Sequence, residues 1–251
     1  MQSMRLPLAA TAFLFFCSCN APEQQKTAGN DKALQDTIKM VEDNLSGNVL
    51  IEDSVNTWNI EKRMAEMKVH GLSIAVIHDY KVAWTKGYGF ADTAAKTPVT
   101  DQTLFQAASI SKSLNGVGIL KLAQDKKLDL LADINNYLTT WKFPYDTASH
   151  GKKISTLNLL SHTGGLTVHG FGGYEPGDSI PTIPQILDGK KPANSPAVRS
   201  MYEPGLKSEY SGGGITISQL ILQDITKQAY DTYMQENVLD PMGMTSSTYR
   251  Q

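Results

Sequence analysis

In the stretch FQAASISKSLNGVGILKLAQDKK, Phe105 to Lys127, Ser109 and Lys112 stand three positions apart, directly before a run of apolar residues. Positions three apart on a helix share a face, so the Ser109 hydroxyl and the Lys112 amine can come within hydrogen-bond reach. A hydroxyl held against a proton acceptor is the arrangement that makes serine a nucleophile. Ser111 points elsewhere on such a helix. Ser109 also stands where a serine caps a helix start, and the unpaired N–H groups collected there would favour a forming alkoxide.

Plain helix capping by Ser109 is the competing reading. Against it, a capping box places Glu or Gln three residues on, whereas this chain has Lys112, whose charge opposes the helix dipole. A locally unfavourable choice often marks function. A lysine ordinarily titrates near ~10.4, so using one as a base near neutrality requires about 4 kcal/mol in favour of its neutral form. A helix terminus supplies only about 0.3–1 kcal/mol. Desolvation and a neighbouring group must do the rest.

A candidate neighbour lies in KSEYSGGGITISQLI, where Tyr210 and Ser211 precede three glycines and an apolar run. Glycines there predict a tight loop that a substrate can approach closely. The alternative is a glycine-rich helix entry with an ordinary surface tyrosine.

The elements that must position these residues follow from periodicity. Leu34, Ile38, Val41 and Leu45 mark one face of a helix that Gly47 can end, and a second helix is predicted around Trp58, Met64 and Met67. LSIAVIHDYKVAWTKGYGFAD reads as two β-branched and aromatic runs joined at Asp79-Tyr80, a hairpin without a turn glycine. Trp84, Tyr88 and Phe90 alternate along it as sheet-packing residues. Ile110 to Ala123 is apolar on nearly every face, which predicts a helix buried on all sides. Further helices are expected near Leu157–Leu160, stopped by Gly164-Gly165, near Ile183–Leu187, and over Ile215–Thr226 and Tyr230–Leu239. A lone hairpin is marginal in water, and the chain closes on the turn-rich DPMGMTSSTYRQ, so further strands are expected beyond Gln251.

Bulk properties narrow the function. With 251 residues, 41% hydrophobic, 19% charged and a formal net charge of −2, the chain has a globular composition. It has no lysine-arginine cluster, which argues against nucleic acid as a partner. The N-terminus, MQSMRLPLAATAFLFFCSCNAPEQQ, carries Arg5 and then an apolar run over Leu6–Phe16, a length that suits a signal peptide rather than a membrane span. Both cysteines, Cys17 and Cys19, end this run, so the mature chain has no disulfide framework. FCSC followed by a polar tract is similar to a bacterial lipobox, with lipidation at Cys19. The other reading is a plain secretory signal with incidental cysteines. Either way the expected segments are a signal peptide at 1–19, a tether and helix at 20–54, and a catalytic segment at 55–251. The expected location is the periplasm or outer membrane, with the membrane as a partner through the anchor.

Rival sites fail on context. GLSIA around Ser73 approximates a nucleophile elbow, but that elbow joins a strand to a helix and Ser73 begins a hairpin strand. The five histidines, His70, His78, His150, His162 and His169, show no i,i+4 pairing, so neither a metal nor another cofactor is expected. His162, in SHTGG, is expected to pin a turn.

Taken together, these stretches resemble the serine β-lactamase and penicillin-binding protein superfamily, closest to its class C, esterase and D,D-peptidase branch. The family's S-x-x-K matches Ser109-Ile110-Ser111-Lys112. Its Tyr-x-Asn matches at Tyr210-Ser211 and departs at Gly212. GLSIAVIHDYKVAWTKGYGFAD, FQAASISKS, LLSHTGGL and LDPMGMTSST agree in order, from about residue 55 onward. The resemblance implies an α+β fold, an α/β sandwich in which an antiparallel sheet is flanked by helices with a separate helical lobe. Its remaining strands and its third motif, Lys-Thr-Gly or a variant, would lie C-terminal to this sequence.

It further implies an acyl-enzyme mechanism with Ser109 as nucleophile, Lys112 and Tyr210 moving the proton, and the Ser109 N–H as half of an oxyanion hole. Ser211 and Gly212 would face the substrate, a small molecule or a peptidoglycan-type peptide. The departure at Gly212 leans toward an esterase-like or peptidase-like relative. A catalytically defective binding or scaffold lipoprotein of the same fold is the alternative function. The oligomeric state is left open.

Overall fold

The computed structural model describes residues 32–47, 49 and 57–250. The signal segment 1–19 with its Cys19 anchor site, and residues 20–31 of the tether, lie outside the described residues. The chain divides into two compact units at Thr103/Leu104, a division that runs through the expected 55–251 segment.

The first unit mixes helix and sheet. Helix α1, Lys32–Asp43, buries Ile38 and stops before Gly47, so Leu45 passes into a two-residue strand, β1, Leu45–Ser46. β1 pairs antiparallel with β2, Thr57–Trp58, and Trp58 therefore lies in a strand rather than in the predicted second helix. That helix is α2, Ile60–Glu66, which starts two residues after Trp58 because Asn59 caps it, accepting from the Glu61 and Lys62 N–H groups at 3.1 Å.

The predicted hairpin is β3, Gly71–His78, and β4, Lys81–Asp92, paired antiparallel. Asp79 and Tyr80 both take positive φ, 49° and 60°, so the turn twists with the strands although neither residue is glycine. Of the three alternating aromatics, Trp84 and Tyr88 are buried and Phe90 is exposed, at the end where a register shift breaks the pairing with β5, Thr97–Pro98. The resulting three-stranded sheet, in the order β3-β4-β5, adds one strand to the expected pair. Glu42 of α1 ties helix to sheet by accepting from Tyr88 Oη at 2.8 Å and from Lys86.

The second unit is helical: α3, Ser111–Gln124; α4, Thr156–Leu160; α5, Ile183–Asp188; α6, Gly212–Thr226; α7, Tyr230–Met234, continued by a π-helical turn over Gln235–Leu239. All of them feed one core, in which Ile119, Leu122, Leu159, Leu187, Ile217, Ile221 and Met234 are essentially inaccessible. Helix α3 departs from the expectation of burial on all sides. Its Ile119–Leu122 side is packed, whereas Val117 and Leu120 are exposed.

Two hydrogen-bonded anchors hold α3 in place. Buried Asn115 donates to Ser218 Oγ of α6 and accepts from Tyr230 Oη of α7, both at 2.9 Å. Tyr249 Oη donates to the Ser111 carbonyl at 2.7 Å, and the Tyr249 and Tyr230 rings meet edge to face at 5.2 Å. Gly118 lets α7 approach, since a Cβ there would stand 2.8 Å from Met234 Sδ.

Candidate active site

Ser109 does not cap α3. It sits in a 3₁₀ turn, Ala108–Ile110, that precedes the helix, and the cap position falls to Ile110, which has no side chain able to serve. Ala108 takes a positive φ of 44° just ahead of it. A left-handed backbone at a residue with a Cβ is costly, and such strain gathers at functional sites. The Ser109 hydroxyl is thereby released from capping and stands exposed at the head of α3.

Two groups meet it there. Lys112 Nζ donates to Ser109 Oγ at 3.1 Å, across the spacing of one helical turn. Tyr210 Oη, from the segment before α6, donates to the same oxygen at 2.8 Å. Lys112 Nζ also lies 5.3 Å from the centre of the Tyr210 ring. The Lys112 ammonium, and after it the Ser109 hydroxyl, hold the Tyr210 phenol below its ordinary pKa. The phenol is thus easier to ionise than an ordinary tyrosine.

The glycines after Tyr210 form helix rather than loop. Gly212, Gly213 and Gly214 are the first turn of α6, capped by Ser211 Oγ, which accepts from the Gly214 N–H at 3.0 Å. The reason is packing: a Cβ on Gly213 would stand 2.7 Å from Val198 Cγ2, and one on Gly212 would stand 3.1 Å from the His169 carbonyl. Ser211 is correspondingly buried, with its hydroxyl turned onto the Thr167 and Val168 carbonyls. Gly212 is buried as well and donates its N–H to the His169 carbonyl at 3.1 Å. Of the predicted site residues, Ser109, Lys112 and Tyr210 come together. The Ser211 hydroxyl is engaged in capping, and Gly212 offers no side chain toward a substrate.

The sequence points His162 only to a turn. It does occupy one, at a φ of 57°, but its ring also lies 4.6 Å from that of Tyr210. Burial, and then the Lys112 charge, push its imidazole below the ordinary value, which keeps it neutral. The SHTGG stretch marks a turn in the sequence, but nothing in the spacing ties it to a tyrosine nearly fifty residues on.

Fold and site together define the serine β-lactamase and penicillin-binding protein superfamily, whose members of this type are serine hydrolases. The chain belongs to the Beta-lactamase family, whose model matches residues 58–251. It is 29% identical over 198 residues to Protein flp of Staphylococcus aureus (strain N315), a match covering 76% of this chain and 37% of that protein. The octameric penicillin-binding protein homologue from Pyrococcus abyssi superposes with a TM-score of 0.59 at 25% identity, over 74% of this chain and 42% of that one. The D-amino acid amidase from Ochrobactrum anthropi SV3 gives 0.58 at 26% identity, over 73% and 48%. The chain thus spans less than half the length of these proteins.

Proposed function

We propose that this chain carries the nucleophile and proton-transfer groups of an exported serine hydrolase that acts through an acyl-enzyme on an amide or ester, such as a D-Ala peptide, a carboxylic ester or a β-lactam. The observation that carries this reading is the convergence of Lys112 Nζ and Tyr210 Oη on Ser109 Oγ. In the neutral resting form both donate to that oxygen. With the phenol ionised, Tyr210 accepts the serine proton as Oγ bonds to the substrate carbonyl carbon. The tetrahedral adduct collapses by breaking the bond to the leaving nitrogen or oxygen, which takes the proton back from Tyr210. Water then attacks the acyl-serine by the same route and frees the acid. The Ser109 N–H contributes one donor to the developing oxyanion. Lys112 Nζ, bonded to Ser109 Oγ and close to the Tyr210 ring, steadies the phenolate.

The likeness to a D-amino acid amidase and a penicillin-binding protein homologue supports an acyl donor of the D-amino acid type. Export with a lipid anchor at Cys19 belongs to the same proposal and rests on the N-terminal sequence. A fluorophosphonate or fluorescent penicillin should label the protein covalently, and Ser109→Ala should take no label. Undiminished labelling of Ser109→Ala would defeat the assignment.

A second reading, a binding or scaffold lipoprotein of the same fold, draws on one observation: Gly212 offers no amide where the family's Tyr-x-Asn has one. Turnover of a chromogenic ester, abolished by Ser109→Ala, would eliminate it.

A further inference from the structure

The peptide group between Tyr210 and Ser211 is held at both of its polar ends by histidine rings. Its carbonyl, on Tyr210, lies within hydrogen-bond distance of His169 Nδ1. Its N–H, on Ser211, points at His162 Nδ1 at 3.3 Å. A carbonyl can only accept and an N–H can only donate, so the two rings must hold opposite states at the same atom. His169 carries a proton on Nδ1, and His162 has a bare Nδ1. Resting on the reading of Tyr210 as the proton-transfer group, we propose that His162 and His169 are positioning residues that clamp this peptide and so aim the Tyr210 phenol at Ser109 Oγ.

The surroundings suit the opposite states. Glu209 Oε1 lies 3.7 Å from His169 Nε2, so the far side of that ring faces a carboxylate, itself held by Lys207 at 2.8 Å and Tyr202 at 3.1 Å. His162 faces the Lys112 ammonium from α3 and the Tyr210 ring from the segment before α6. Helix α4 brings no titratable side chain to it, and Ile215 of α6 is apolar. Glu209 meets His162 through the backbone, its N–H donating to the His162 carbonyl at 2.8 Å. Burial and then the Lys112 cation therefore keep His162 neutral. Protonating it would set an N–H against the Ser211 N–H and open the clamp, so acid should act on Tyr210 twice: on its own phenol, and through His162.

Asparagine tests the geometry, because its Oδ1 and Nδ2 branch from Cγ as histidine Nδ1 does, and it tolerates the positive φ of His162. The first measurement is the histidine ¹⁵N spectrum of the unsubstituted protein, with signals assigned from His162→Asn and His169→Asn. His162 should show a bare Nδ1 and His169 a protonated one, and any other pair of states at neutral pH overturns the clamp. The second is the rate of fluorophosphonate acylation against pH and probe concentration. His162→Leu should lose about 10–100-fold in the acylation step with probe saturation unchanged, and His162→Asn should recover most of it. In the unsubstituted protein the logarithmic rate should fall more steeply below the His162 ionisation, and His162→Asn should lack that steepening. A His162→Leu variant that acylates normally, or a His162→Asn variant no better than Leu, overturns the proposal. If the unsubstituted protein takes no label, it is the hydrolase reading that fails, and the nitrogen signals still decide the clamp.

Discussion

Tyr210 Oη and Ser109 Oγ, 101 positions apart in the chain, lie 2.8 Å from one another. The contact joins the segment entering α6 to the turn entering α3, so the proposed reacting pair depends on how those two helices pack. Asn115 and Ser218 bridge the same pair of helices deeper in the core, at 2.9 Å.

Tyr210 and Lys112 act on one oxygen and should fail as a unit. Tyr210→Phe is expected to slow acylation of Ser109 by about 10²–10⁴-fold, the usual worth of a positioned proton acceptor. Lys112→Met should cost a comparable factor, and the double variant little more than the worse single one. Single-turnover labelling kinetics on the four proteins check this.

The pH dependence has a definite sign. In the proposed mechanism Tyr210 acts as the phenolate, and its phenol is held below the ordinary value first by Lys112. Acylation should therefore rise as pH climbs through an ionisation below the usual tyrosine range near ~10. Removing the cation in Lys112→Met destabilises the phenolate and should move the rise to higher pH. A rise at unchanged pH in that variant would show that Lys112 does not set the ionisation.

Asn115 is buried with both ends of its amide engaged. Asn115→Leu leaves the Tyr230 hydroxyl without its acceptor and should cost about 1–3 kcal/mol in urea unfolding. Acylation should fall as well, since α3 carries Lys112.

Asp224 of α6 is buried and accepts from the Thr139 and Thr140 N–H groups at 2.7 and 3.1 Å, and from the Thr140 hydroxyl at 3.1 Å. Burial raises its carboxyl pKa, but those donors outweigh it and hold the group below the ordinary value. A carboxyl depressed on folding contributes stability that is present above the unfolded-chain value and lost as pH falls through the folded one. Asp224→Ala should cost about 1–3 kcal/mol at pH 7, with the difference from the unsubstituted protein shrinking below about pH 4. Denaturant melts at the two pH values measure it.

What the sequence determined was local. The Ser109–Lys112 spacing is an i,i+3 relation that a helical start imposes wherever it occurs, and the Asp79-Tyr80 hairpin and most helices follow from periodicities of a few residues. Those signals also identified the family, because its motifs are short and ordered. The tertiary structure decided what neighbours across the chain require. The three glycines could be read as loop or as helix until Val198 stood against Gly213 and the His169 carbonyl crowded Gly212. Ser211, whose hydroxyl could face a substrate or a helix end, was turned inward by that same first turn of α6. His162 and His169 had no readable tie to Tyr210, since a ring's partner in a loop depends on how distant segments pack and leaves no period in the sequence. Local spacing could place a serine beside a lysine. Bringing the tyrosine to them required the core that joins α3 to α6.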